Sequence, residues 1–298
     1  MIRIKWSILF FFFPLLILSQ AKTPLVSYDY ESDAKYTEEL RLLKNKANRE
    51  STAIIRSIAE LSYDYKDWDT AIDYYEILLL DAPKAENYFK LGVAAARKSL
   101  EVSRFLSVPY ILIAKRSVLQ AHELKPKKVI FFNLLIQLYA EIPSLFGGSI
   151  AMAETKADGL RDIDPVEGMM MQAYVLEVKN NYEASKSKYA EVFRYLKQEI
   201  PATDQWGSAL RRDLIFDLGR AAAEFKMEPE LGISFLDHYI KDSGFKDNYP
   251  LEWAYYYRSK IYLYTKDFKN AKASTKKALE INPDFEEGLE LLKTVKLE

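Results

Sequence analysis

An alanine followed twelve residues later by a proline recurs four times in this 298-residue chain. The pairs are Ala71 and Pro83, Ala114 and Pro126, Ala153 and Pro165, and Ala271 and Pro283. Three of the prolines end nearly the same phrase: Glu123-Leu124-Lys125-Pro126, Asp162-Ile163-Asp164-Pro165 and Glu280-Ile281-Asn282-Pro283. A small residue lets a second helix approach closely, and a proline at fixed distance stops the helix that carries it. That unit is a helical hairpin, and its repetition builds an array in which each hairpin buries its apolar face against its neighbours. The expected fold is all-α, an α-solenoid. Only 10 glycines and 11 prolines interrupt a chain rich in Ala, Leu, Lys and Glu, which agrees with helix throughout. Such an array offers surface for binding and leaves open what is bound.

The first residues are a targeting segment and stand outside the fold. Arg3 and Lys5 precede a nearly continuous apolar run from Trp6 to Leu18, and Ser19-Gln20-Ala21 supplies small residues before a cut. The pattern predicts a signal peptide over residues 1–21, cleaved after Ala21, and hence an exported protein, periplasmic or extracellular. The alternative is an uncleaved anchor. Against it, the run falls short of the ~20 residues of a spanning helix, and Pro14 interrupts it. The chain has no cysteine, which excludes lipid attachment through an N-terminal Cys. With 42 basic and 43 acidic residues there is no basic excess for a nucleic-acid partner. No later segment is long and apolar enough to span a bilayer, so no membrane span is expected in the mature chain.

The repeating residues resemble the tetratricopeptide repeat, a 34-residue helix–turn–helix unit. Unit six, Glu252 to Phe285, carries Tyr255, Tyr262, Ala271, Ala278 and Pro283 in the register of that repeat; unit one starts at Thr52 and keeps Ala59, Ala71, Tyr75 and Pro83. Lys66-Asp67-Trp68 and Lys266-Asp267-Phe268 are the matching turns between helices. The middle units keep their ends and stretch the turn. Gly92 to Ala114 spans ten residues more than the repeat allows, around Leu100 to Pro109, and Ile136 to Ala153 spans five more, through Ile142 to Ser149. The resemblance implies a right-handed α-solenoid of about six hairpins. Its units lie near 52–84, 85–128, 129–165, 166–199, 208–243 and 250–283. Residues 22–51 are expected to form a leader and an N-terminal helix within Asp33 to Arg49, and 284–298 a capping helix. Ile200 to Gly207 and Asp242 to Pro250 read as irregular linkers.

The resemblance also implies a concave face lined by repeat positions 2, 5, 9 and 12 of each first helix. These are Ala53, Arg56, Glu60 and Tyr63 in unit one, Glu86, Phe89, Val93 and Ala96 in unit two, and Ile130, Asn133, Gln137 and Ala140 in unit three. Unit four gives Glu167, Met170, Tyr174 and Glu177, unit five Asp213, Phe216 and Arg220, and unit six Trp253, Tyr256 and Lys260. Trp, Tyr and Arg are frequent interface anchors, so Arg56, Phe89, Asn133, Tyr174, Phe216, Arg220, Trp253, Tyr256 and Lys260 are the candidate binding residues. Some family members hold a peptide carboxylate with Lys and Asn at positions 5 and 9. Here Arg56 is followed by Glu60, so a C-terminal carboxylate is not the expected ligand.

No catalytic or metal constellation stands out, and no cofactor is expected. The two histidines, His122 and His238, lack partners at ligand spacing and read as partly buried helix residues. Gly147-Gly148 lacks the Lys-Ser/Thr of a phosphate loop and reads as a helix stop, with Ser149 as the next N-cap. Leu145-Phe146-Gly147-Gly148-Ser149 followed by Ala153 also resembles a turn of exported bacterial repeat proteins of the TRAP-transporter T-component type, which implies a helical array around a small apolar ligand. The expected function is therefore a non-enzymatic scaffold that holds a protein or peptide segment in its groove. The alternative is a periplasmic carrier of a small apolar ligand for a transporter, with Val93, Ile130, Met170 and Phe216 lining the channel and the unit-two insertion closing its mouth.

Overall fold

The computed structural model describes residues 26, 28–46, 51–199 and 209–297. The expected signal peptide and the linker at 200–207 lie outside these residues. Among the described residues there are fourteen α-helices and no strand. After α1 (Ala34–Lys44) they pair into six hairpins: α2 (Thr52–Asp64) with α3 (Trp68–Asp81), α4 (Ala85–Glu101) with α5 (Arg104–Leu124), and α6 (Val129–Glu141) with α7 (Ile150–Arg161). The series continues with α8 (Pro165–Val178) and α9 (Tyr182–Glu199), α10 (Arg212–Glu224) and α11 (Pro229–Lys241), and α12 (Leu251–Tyr264) and α13 (Phe268–Ile281). Helix α14 (Glu286–Leu297) packs on α12 and α13 and closes the array.

The recurring alanines do the packing expected of them: Ala71, Ala114, Ala153 and Ala271 are fully buried. Helix starts are set by side-chain caps, which satisfy amide donors left free at a helix N-terminus. Asp67 accepts from the Thr70 amide at 3.1 Å, Asp164 from Glu167 at 3.1 Å, and Asp267 from Asn270 at 3.1 Å. Ser149 caps α7 by accepting from Met152 at 3.2 Å, immediately after Gly147 turns the chain at φ 89°. The turn inside a hairpin passes through a left-handed residue at the same repeat position in four units: Lys66, Asn180, Lys226 and Lys266, all with φ between 50° and 64°. Only one of these is an Asn and none is a Gly, so each turn stores about 1 kcal/mol of backbone cost that the flanking helix packing offsets.

The ten extra residues of unit two do not form a loop. They lengthen both helices of the hairpin, giving α4 17 and α5 21 residues, with Pro109 inside α5. The hairpin tip carries Leu100, Phe105 and Leu106 out into solvent. The five extra residues of unit three are an irregular turn around a short 3-10 segment, Ser144–Phe146. It is tied back by the Lys115 ammonium, which donates to the Gly147 carbonyl, and by the Ser149 amide, which donates to Tyr139 O at 2.8 Å.

Candidate binding groove

The first helices of successive hairpins share one face. Helix α6 touches α8, and α10 touches α12. Along this face the expected groove residues meet one another or their neighbours on adjacent helices. Arg56 donates to Asn87 at 3.3 Å, and Lys90 pairs with Glu60 at 3.5 Å. Phe89 stacks on Phe131 at 4.6 Å. Asn133 donates to Glu167 at 2.7 Å, and Tyr174 donates to Glu141. Arg220 forks onto both oxygens of Glu177 at 3.1 Å and reaches the Tyr189 hydroxyl at 3.0 Å. In unit six Trp253 packs on Tyr256 and Phe285 at 5.3 and 5.0 Å, while Lys260 pairs with Glu224 at 2.8 Å and lies over the Tyr256 ring.

This face is the inner one, because the linker between α11 and α12 crosses from unit five to the first two units. We call residues 242–250 the strap. Its base is set by Asp247, whose carboxylate takes two hydrogen bonds of 2.6 Å from Arg212 and one of 2.9 Å from the Gly244 amide. Phe245 then sits against the rings of Tyr28 and Tyr65 at 4.7 and 5.1 Å. The Lys66 ammonium lies over the Phe245 ring at 4.7 Å and donates to the Phe245 carbonyl at 2.9 Å. Lys246 pairs with Asp64 at 2.6 Å. Asn248 is read on both sides: its Oδ1 accepts from Arg97 at 2.8 Å and its Nδ2 donates to Asp213 at 2.9 Å. Its backbone carbonyl accepts from the Val26 amide at 3.1 Å. Tyr249 stacks flat on Phe216 at 4.1 Å and donates to Asp217 at 3.2 Å. A cleft of about 570 Å³ opens beside the strap, between Val26 and Tyr28 on one side and Trp253 and Ile281 on the other.

Charges gathered in this throat are perturbed. Burial pushes the Asp217 carboxyl up to about 7; Arg220 pulls it down, Asp213 repels it further up, and the Tyr249 hydroxyl stabilises the anion. Burial likewise raises Glu141, with the Tyr174 hydrogen bond opposing it. Both carboxyls still reach water, Asp217 with 24% of its side chain exposed. The arrangement is that of a polar, hydrated groove walled by protein, and it does not converge on a metal: among the described residues no three His, Cys, Asp or Glu side chains are placed to hold one. His122 is buried at 7% exposure with its ring edge-on to Phe132, and burial together with Lys156 lowers its affinity for a proton.

Two of the nine candidate residues need correction. Phe216 is fully buried, because Tyr249 of the strap lies over it. Asn133 is 5% exposed and spends its amide on Glu167. Arg56, Phe89, Tyr174, Arg220, Trp253, Tyr256 and Lys260 remain partly exposed. The apolar-channel alternative loses three of its motives here, while Val93 and Ile130 stay partly exposed. Met170 and Phe216 are in the core, and the unit-two insertion extends its own hairpin. Arg97, Arg211 and the strap residues went unforeseen. Asp242 to Pro250 was legible as an irregular linker, and nothing in its spacing told where it would lie.

Comparison with known proteins agrees with this geometry. Residues 253–285, which are unit six, match the tetratricopeptide repeat family. No curated protein matches the chain in sequence. Among solved structures, a tetratricopeptide repeat protein from Parabacteroides merdae is similar at TM-score 0.53 and 16% identity, over 90% of this chain and 95% of that one. The Cut9–Hcn1 hetero-tetramer of the APC/C gives TM-score 0.55 at 15% identity, over 89% of this chain and 47% of that one. Yeast Tom70 gives 0.52 at 13% identity, over 92% and 54%. The chain thus spans about half the length of the last two. One repeat is matched in sequence at unit six, and the chain as a whole shares the helical-solenoid fold of these repeat structures.

Proposed function

We propose that the protein is an exported scaffold whose inner face binds an extended protein segment. The observation that carries this reading is the continuity of that face. Side chains on the first helix of each unit touch those of the next from Arg56 to Lys260, mixing aromatic rings with paired charges. That mixture suits an interface, where rings supply area and charges fix register. The solenoid of Cut9–Hcn1 is part of a hetero-tetramer, which supports a protein partner for this one. Export rests on the N-terminal sequence.

The test is selection from a displayed peptide library on the mature chain. Enriched peptides are expected to lose binding in a Trp253→Ala/Tyr256→Ala variant that keeps its helical circular dichroism. A library that yields no peptide dependent on these residues refutes groove binding. Mass spectrometry of the protein from its own cells is expected to show Lys22 as the first residue, and an intact Met1 in the cytosol refutes export.

A further inference from the structure

We infer that the strap is a built-in occupant of the groove, and that the groove's central site takes a turned segment of the strap's own chemistry: an aromatic residue followed three positions later by an Asn-Tyr pair. The inference rests on the proposal that the inner face binds protein segments, and it adds which segment and how the site is kept closed. The strap is irregular chain, turned where the Asp247 amide donates to Gly244 O at 3.0 Å, and its side chains are held the way those of a bound peptide are held. Its recognition elements come from the leader and from units one, two and five. The Phe245 ring, still 42% exposed, lies against the Tyr28 and Tyr65 rings with the Lys66 ammonium over it, and the same ammonium donates to the Phe245 carbonyl. The Asn248 side chain is satisfied at both ends by charged partners, Arg97 of unit two and Asp213 of unit five, so no residue but Asn places both atoms at those distances. Tyr249 completes the site by stacking on Phe216 and donating to Asp217.

The contacts bridge the first two units to the fifth, so leaving the site means opening the array. Because the strap is tethered, its effective concentration at the site is on the order of millimolar. A free segment with the same contacts would therefore bind the intact protein poorly and a strap-weakened protein well.

The probe is a labelled synthetic peptide of residues 243–251, Ser-Gly-Phe-Lys-Asp-Asn-Tyr-Pro-Leu. It is titrated into the mature chain, into Phe245→Ser/Asn248→Ser, and into a second variant with residues 243–248 replaced by Gly and Ser at equal length. Both variants keep Tyr249 over Phe216, so the core stays covered and the peptide is tested at the Phe245 and Asn248 stations alone. Saturable binding to either variant at least tenfold tighter than to the unmodified chain, and lost when Arg97→Ala is added, is the expected result. Equal binding to all proteins, or binding indifferent to Arg97→Ala, overturns the inference. So does no binding to a variant that keeps its circular dichroism while its strap amides exchange faster. The two readings fail separately. If library peptides bind through Trp253 and Tyr256 while the 243–251 peptide does not, only this inference falls.

Discussion

Arg211→Ala tests whether the inner face also holds the middle of the array together. Glu167 is 3% exposed, and its carboxylate has three donors. Arg211 gives two, at 2.6 and 3.0 Å, and Asn133 gives one at 2.7 Å. The three residues belong to units three, four and five, so one carboxylate joins three hairpins. Removing Arg211 leaves a buried charge with a single neutral amide. Breaking a buried pair in this way costs about 3–5 kcal/mol. Arg211 is itself 35% exposed, so water can follow into the gap, and the expected loss is at the low end, about 3 kcal/mol. Adding Glu167→Gln removes the stranded charge, and the amide of Gln can pair with Asn133, whose Oδ1 is buried without a partner. The double variant should then lose only about 1 kcal/mol, the cost of an ordinary hydrogen bond. Urea unfolding followed by circular dichroism measures both losses. Amide exchange in α8 and α10 shows whether the loss is local, since an array can open in parts. A loss below about 1 kcal/mol for Arg211→Ala, or a double variant less stable than the single one, refutes the account of Glu167 as a desolvated charge kept by Arg211.

Two further perturbations follow from the same structure. A Cβ at Gly168 would lie 2.2 Å from Arg161 Cα and 2.3 Å from its backbone nitrogen, where no rotamer change helps, whereas one at Gly244 meets nothing within 4 Å. Gly168→Ala should therefore cost about 1–3 kcal/mol by forcing α7 from α8, and Gly244→Ala should leave the urea midpoint unchanged; equal effects refute the packing argument. Asp217, raised from 3.8 to about 7, binds its proton more tightly folded than unfolded. Stability should thus fall as pH rises through that window, by at most about 4 kcal/mol, less because the side chain is partly hydrated. Asp217→Asn should flatten this slope between pH 4 and 7, and an unchanged slope removes Asp217 as its cause.

The array was legible in the sequence because its determinants are local. A small residue, a cap and a stop recur at fixed spacing, and Ala71, Asp67 and Pro83 act within one hairpin and its neighbour. Unit six was plain enough to be matched as a repeat, while unit two kept Leu91 and Gly92 and hid its insertion inside longer helices. The left-handed turn residue escaped notice because Lys occupies it in three of the four units, and only Gly would have advertised a positive φ. The strap was legible as an irregular linker, but its place in the groove was not. Lys66 and Phe245 are 179 positions apart, and their meeting depends on the rotation summed over five hairpins. Phe216 failed as a groove residue for the same reason, since the repeat rule assumes a groove with nothing in it.

A groove paired with itself changes what recognition demands. Arg56, Arg220 and Lys260 already have partners, as do the carboxylates facing them. A segment entering the face therefore exchanges hydrogen bonds and does not simply add them, and the net gain per polar contact stays near 1 kcal/mol. The aromatic stations differ once the strap has left them, because a ring set on Phe216, or against Tyr28 and Tyr65, then removes apolar area from water without breaking a hydrogen bond. Affinity should thus come from rings and selectivity from the paired charges, which reject a segment that leaves Arg97 or Asp213 unsatisfied. The strap meets both conditions, with two rings and one amide that serves Arg97 and Asp213 at once. A competitor must match that set and also overcome the tether. Selectivity at the centre of this solenoid is accordingly set by the chain's own occupant, and segments with rings but no Asn should settle at the Trp253 end instead.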